Sequence, residues 1–227
     1  ENWNTIESAE PNPVPVDLDG DGRLEILFPS YDGRLHAFWL DKTEHGAWPY
    51  SVYNAAEGVY RFASEPAVAD LDGDGSAEVI FASWVEKDSS LTGKLHLLDS
   101  LGHPLHEIDL PPALNGDWNG ALAAPTLADI DGDPDLEVVL NTAGSGLVAY
   151  DLPGTAGARV LWGTGRGSSW RHGSVPGGSS LASSALAVTP GTPLPGGRLD
   201  YTLVLHNPGR ILSGVRVINP LPPETAA

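Results

Sequence analysis

The sequence predicts an all-β protein, and three observations carry that reading. A nine-residue acidic loop recurs three times, each copy lies between short apolar runs of β type, and no stretch sustains a helical period. The loops are Asp17-Leu18-Asp19-Gly20-Asp21-Gly22-Arg23-Leu24-Glu25, Asp70-Leu71-Asp72-Gly73-Asp74-Gly75-Ser76-Ala77-Glu78 and Asp129-Ile130-Asp131-Gly132-Asp133-Pro134-Asp135-Leu136-Glu137. Their starts lie 53 and 59 residues apart.

The flanking elements repeat in the same order. A short run precedes each loop: Val14–Val16, Pro66–Ala69 and Pro125–Ala128. A β-type run follows it: Ile26–Phe28, Val79–Phe81 and Val138–Leu140. A strand led by glycine comes next, at Gly33–Trp39, Gly93–Leu98 and Gly146–Tyr150. Gly, Pro and Asp punctuate these runs, which reads as strands joined by turns.

Composition narrows the function classes. The 227 residues carry 12 basic and 30 acidic side chains, a net charge of −18. Such a chain lacks the broad basic surface that phosphate binding needs, so nucleic acid is not an expected partner. With no Cys there is no disulfide, thiolate nucleophile or cysteine metal site. No apolar run reaches the ~18 residues of a membrane span, so membrane insertion is not expected. The chain opens at Glu1 without Met or a secretory leader, which reads as a processed product or part of a longer one. The charge is concentrated: residues 1–137 hold 27 acidic and 6 basic side chains, residues 138–227 only 3 and 6.

The spacing of the acids gives the loops their chemistry. Carboxylates at loop positions 1, 3 and 5 project into one concavity when the backbone turns between them. A glycine at position 6 permits a sharp turn. Position 7 can offer a carbonyl, and the acid at position 9 can close the shell. That number of hard oxygen ligands suits Ca²⁺ better than Mg²⁺, which keeps several waters and stricter octahedral geometry. Without a cation the carboxylates repel one another. The loop is not an EF-hand, whose closing Glu stands at position 12 between helices. In the third loop Pro134 replaces the glycine, and Asp135 adds a carboxylate.

The three Asp-x-Asp-Gly-Asp cores with their strands resemble the FG-GAP/VCBS calcium-loop repeats of β-propellers, over roughly residues 10–162. The resemblance implies blades of about four antiparallel strands, each metal loop joining two strands of one blade. It also implies three Ca²⁺ sites. Their side-chain ligands would be Asp17, Asp19, Asp21 and Glu25; Asp70, Asp72, Asp74 and Glu78; and Asp129, Asp131, Asp133 and Glu137. Arg23, Ser76 and Asp135 would supply backbone carbonyls. Glu at position 9, where the integrin-like pattern has Asp, leaves monodentate or bidentate closure open. Three loops are fewer than the 4–8 blades of a propeller. A piece of a longer propeller or an open array is therefore expected, and Leu161–Arg171 is similar to bacterial closing segments.

The C-terminal part is a second module. Val175–Ser180 reads as a linker, and Ala185–Thr189, Arg198–His206 and Gly214–Ile218 as strands. Leu199, Tyr201, Leu203 and Leu205 alternate along the middle one. Asp200–Gly209 with Val215–Pro222 resembles the start of an Ig-like repeat of bacterial surface proteins. The full reading is thus all-β: propeller-like blades with calcium loops over 1–173, a linker over 174–184, and a partial Ig-like β-sandwich over 185–227. About three strands are too few for a seven-stranded sandwich, so open edges are expected to meet a neighbouring chain.

No catalytic constellation emerges. His106-Glu107 lacks a second His, Gly144-Ser145-Gly146 is no nucleophile elbow, and Gly163–Gly167 sits in no strand–helix unit. No spacing assembles Ser, His and Asp. His36 and His96 hold equivalent repeat positions, which favours packing. Trp39, Trp48, Trp84, Trp118, Trp162 and Trp170 favour core packing over sugar-stacking platforms. The expected function is a non-catalytic, extracellular or cell-surface, calcium-binding structural or adhesion protein that self-associates or joins another surface protein, as in a fibre. The alternative is a carbohydrate-binding, lectin-like propeller module of a larger secreted protein or enzyme, with glycans as partners.

Overall fold

The computed structural model describes residues 12–85, 90–112, 119–168, 171, 185–189 and 200–204. The chain divides into two compact units, Glu1–Pro176 and Gly177–Ala227. The described residues form β-strands and turns, with no helix among them and so none long and apolar enough to cross a membrane.

The first unit is built from three loop-bearing sheets. Strands β1 (Val14–Val16), β2 (Glu25–Ser30), β3 (Arg34–Phe38) and β4 (Tyr50–Ser51) form an antiparallel meander in that order. The second sheet is larger. Its meander runs through β6 (Ala67–Asp70), β7 (Glu78–Val85), β8 (Lys94–Leu98) and β9 (Pro104–Asp109). The far end of β7 also pairs with β5 (Arg61–Ala63) and β10 (Asn119–Gly120). The third sheet holds three strands, β11 (Thr126–Ala128), β12 (Leu136–Thr142) and β13 (Gly146–Leu152). Among the described residues the expected blade of four strands is thus met in the first sheet, exceeded in the second and one short in the third.

Each acidic loop joins the first two strands of its sheet, and the registers are equivalent. Pro15 pairs with Ile26, Val68 with Val79 and Leu127 with Val138. Alternation then sends successive side chains to opposite faces. In the second sheet Val79 and Phe81 join one core cluster with Leu18, Leu27 and Leu35 of the first sheet. Ile80, Ala67 and Ala69 join another with Val138, Leu140 and Leu127 of the third. The middle sheet is therefore buried on both faces, and its strands read as continuous apolar runs.

The segment after β13 returns to the middle sheet. Strand β14 (Arg159–Trp162) pairs antiparallel with β6, its register broken by an irregularity between Val160 and Trp162. The Trp162 indole is fully buried and its Nε1–H donates to Glu65 Oε1 at 3.3 Å. The same oxygen accepts the Arg166 N–H at 2.9 Å. Leu127 N–H donates to Gly163 O at 2.8 Å, tying the third sheet to the same segment. The stretch with the look of a closing segment thus crosses from one sheet to another.

In the second unit β15 (Ala185–Thr189) and β16 (Asp200–Val204) form a two-stranded antiparallel sheet. Two of the three expected strands are present there. The linker at 174–184 and the strand at Gly214–Ile218 lie outside the described residues, as do Trp118 and Trp170.

Trp162 fills the core between the sheets, whereas Leu147 on β13 is 72% exposed. Trp162→Ala is expected to lower unfolding stability by about 3–5 kcal/mol. Leu147→Ala is expected to change it by under about 0.5 kcal/mol. Urea unfolding of both variants checks the contrast.

Candidate metal centre

The same local geometry recurs in all three loops. The closing glutamate is buried, and its Oε2 accepts the backbone N–H of loop position 2. Glu25 takes Leu18 at 2.8 Å, Glu78 takes Leu71 at 2.7 Å and Glu137 takes Ile130 at 2.7 Å. The carboxylate at position 3 accepts the N–H of position 5, at 3.2 Å for Asp19, 3.1 Å for Asp72 and 3.1 Å for Asp131. The carboxylate at position 5 accepts the N–H of position 7, at 2.7 Å for Asp21, 2.7 Å for Asp74 and 2.9 Å for Asp133. These short Asx bonds wind the backbone into a tight coil.

The coil brings three carboxylates together in each loop. Ligand oxygens of Asp17, Asp19 and Glu25 lie within 4.8 Å of one another, as do those of Asp70, Asp72 and Glu78, and of Asp129, Asp131 and Glu137. Asp21, Asp74 and Asp133 at position 5 stand outside these groups and are engaged by the N–H groups of Arg23, Ser76 and Asp135. The third-loop Asp135 is engaged elsewhere too, because its Oδ2 accepts the Gly154 N–H at 3.0 Å. The turn residue common to all three loops is the glycine at position 4. Gly20, Gly73 and Gly132 have φ of 75°, 78° and 92°, a region closed to most side chains. At position 6, where the spacing also calls for a turn, Gly22 and Gly75 have φ of 89° and 98°, and Pro134 stands there in the third loop.

The donor set fits a hard divalent cation. All nine grouped ligands are carboxylates, with no nitrogen or sulfur among them. Asp17 Oδ1 and Glu137 Oε1 are buried with no hydrogen-bond partner, which leaves two oxygens desolvated and unanswered. Oε2 of each glutamate accepts a backbone N–H, which fixes the carboxylate against its own loop. Burial, aided by the neighbouring aspartates, pushes the carboxyls of Glu25 and Glu78 up to about 7.

The loops also differ. In the first, the Trp39 indole donates to Asp19 Oδ2 at 3.0 Å. In the second, Arg159 Nη2 on β14 lies 3.6 Å from Asp70 Oδ2. The first two loops touch: Ala77 N–H donates to Leu18 O at 2.8 Å, and a Cβ on Gly20 would lie 2.5 Å from Gly75 O.

One constellation was invisible in the sequence. Ser83 on β7, His96 on β8 and Glu107 on β9 line up across three strands. His96 Nε2 lies 3.0 Å from Ser83 Oγ and its Nδ1 3.3 Å from Glu107 Oε1. Ser83, however, is fully buried and its Oγ accepts the Lys94 N–H at 3.0 Å. Burial also pulls His96 down to about 4, so it is neutral near pH 7. Both repeat histidines stack on a phenylalanine of the adjacent strand, His36 on Phe28 at 5.0 Å and His96 on Phe81 at 4.7 Å. Their packing role follows the repeat. Beside His96 a cavity of about 160 Å³ opens among Tyr53, Asn54, Glu57, Arg61, Lys94 and Glu107.

Together these features define a β-rich repeat module with acidic metal-type loops. Residues 17–81, from the first ligand of loop one into β7, match the FG-GAP-like repeat family. The third loop and the second unit lie outside the matched span. No curated protein and no solved structure matches the chain.

The raised glutamates give a pH test. In the metal-free fold Glu25 and Glu78 stand near 7, against an ordinary value of 4.5. The folded chain then binds their protons more tightly than the unfolded chain. Their stabilising contribution is present below about pH 4.5 and lost as pH rises through about 7. Thermal unfolding in EDTA is expected to show this loss, and Glu25→Gln with Glu78→Gln is expected to flatten it.

Proposed function

We propose that the first unit is a calcium-stabilised, propeller-type repeat module of an extracellular or cell-surface protein, with a structural or adhesive rather than catalytic role. The observation that carries this reading is the threefold recurrence of one carboxylate group from positions 1, 3 and 9, with a buried oxygen lacking a partner in the first and third loops. Each loop would hold one Ca²⁺, with Asp17, Asp19 and Glu25, Asp70, Asp72 and Glu78, and Asp129, Asp131 and Glu137 facing it. The match to an FG-GAP-like repeat supports the calcium and surface assignments. The burial of Ser83 supports the absence of nucleophilic catalysis. The second unit would begin an Ig-like sandwich, a reading supported by its β15–β16 pair. The module would serve in a larger surface assembly or fibre, through self-association or another surface protein.

Calcium acts here by folding linkage, since the ordered loops bind the ion and the unfolded chain does not. At about 100 times Kd each site adds ~2.7 kcal/mol. Isothermal titration calorimetry is expected to give three bound Ca²⁺ and a rise in Tm, with Asp72→Asn leaving two. Absence of both heat and Tm shift in calcium would overturn the metal assignment.

A second reading, glycan binding, is favoured by one observation. In the 160 Å³ cavity Arg61 pairs with Glu57 at 2.7 Å and Lys94 with Glu107 at 3.2 Å, beside the half-exposed Tyr53 ring. The charges cancel, while donors and acceptors both remain, which suits a neutral polyhydroxyl ligand. A glycan array in calcium is expected to show binding that Asn54→Ala weakens. An array without any signal would remove this reading.

A further inference from the structure

Equivalent positions in the three sheets differ in burial, and the difference follows the place of the sheet in the row. One face of each sheet looks towards the preceding sheet. On it Val79 and Val138 are buried, whereas their first-sheet equivalent Ile26 is 44% exposed. Phe81 and Leu140 are also buried there, and Phe28 is only partly so. The other face looks towards the following sheet. Loop position 2 projects there, and Leu18 and Leu71 are buried while Ile130 is 56% exposed. Leu35 and Leu95 pair with the equivalent positions Pro29 and Ala82 and are buried, while Leu147, paired with Asn141, is 72% exposed.

The two internal junctions show what such faces pack against. At the first, Leu18, Leu27 and Leu35 meet Val79 and Phe81. At the second, Leu71, Ile80 and Leu95 meet Val138 and Leu140. The exposed face of the third sheet repeats the donor side of these junctions, and the exposed face of the first sheet repeats the receiving side. One chain therefore carries both halves of a third junction, on opposite ends of its row of sheets.

We propose that a second copy of this chain completes that junction, the Ile130–Leu147 face of one copy docking head to tail on the Ile26–Phe28 face of the next. This deepens the assembly reading above and rests on the repeat architecture, not on ion binding. Such a contact is heterologous: it closes into a ring if the rotation per copy allows and otherwise extends into a filament.

Sedimentation velocity of the full chain in calcium, across a concentration series, tests the proposal. Wild type is expected to gain mass with concentration. Ile26→Lys and Leu147→Lys, both at exposed positions and checked for an unchanged Tm, are each expected to weaken association roughly 30-fold or more. Each blocks a different face, so an equimolar mixture is expected to form a one-to-one complex and nothing larger. A wild type that stays monomeric throughout, variants that associate as wild type does, or a mixture that stays monomeric would each overturn it. Calcium binding measured on the same samples keeps this separate from the metal assignment, because an ion-binding monomer sinks the docking alone.

Discussion

Everything in the first unit leans on one short contact made three times, a buried glutamate holding the backbone N–H of a residue seven places earlier. That N–H belongs to loop position 2, and in the first two loops the side chain of the same residue, Leu18 or Leu71, enters the core shared with the next sheet. At Leu18 the N–H meets Glu25, the carbonyl accepts the Ala77 N–H, and the side chain lies in the core shared with the second sheet. A single residue thus joins the carboxylate coil to the packing between sheets. Charge in the loop is felt at once by the apolar junction beside it, since the glutamate that anchors Leu18 also crowds Asp17 and Asp19.

The second organising element is the return of the chain to the middle sheet. β6 would otherwise offer an unpaired inner edge, and β14 covers it. Glu65 receives both the Trp162 indole and the Arg166 amide, so one buried carboxylate fixes the bend that follows. Arg159 begins this strand beside Asp70, the first acid of the second loop. The inner edge of the sheet row and its metal-type loop therefore share a boundary, and the two are ordered together.

Much of this was legible from residue order, because the features are local and periodic. The loops and the strands on either side stand where the sequence places them, with the runs after the loops extending further than expected, most of all β7 (Glu78–Val85), and the histidines stack as their equivalent positions imply. Local reasoning failed where the deciding contact is distant. Ser83, His96 and Glu107 come from three strands and no motif spaces them. β5 and β10 are too short to stand out, and only the length of β7 gives them a partner. Within the loops the grouped oxygens come from positions 1, 3 and 9, while the position-5 carboxylate accepts the N–H of position 7, a bond that depends on the coil already being wound.

Pro134 has a consequence of a different kind. In the first two loops the sixth position is a glycine, Gly22 at φ 89° and Gly75 at φ 98°, and glycine leaves the unfolded chain many conformations to lose. The pyrrolidine ring holds φ near about −65° whether or not the rest of the loop is ordered. The third loop therefore surrenders less conformational entropy when it winds. Of the three coils it is the one whose formation asks least of the surrounding fold, and it sits on the sheet whose outer face has the fewest neighbours.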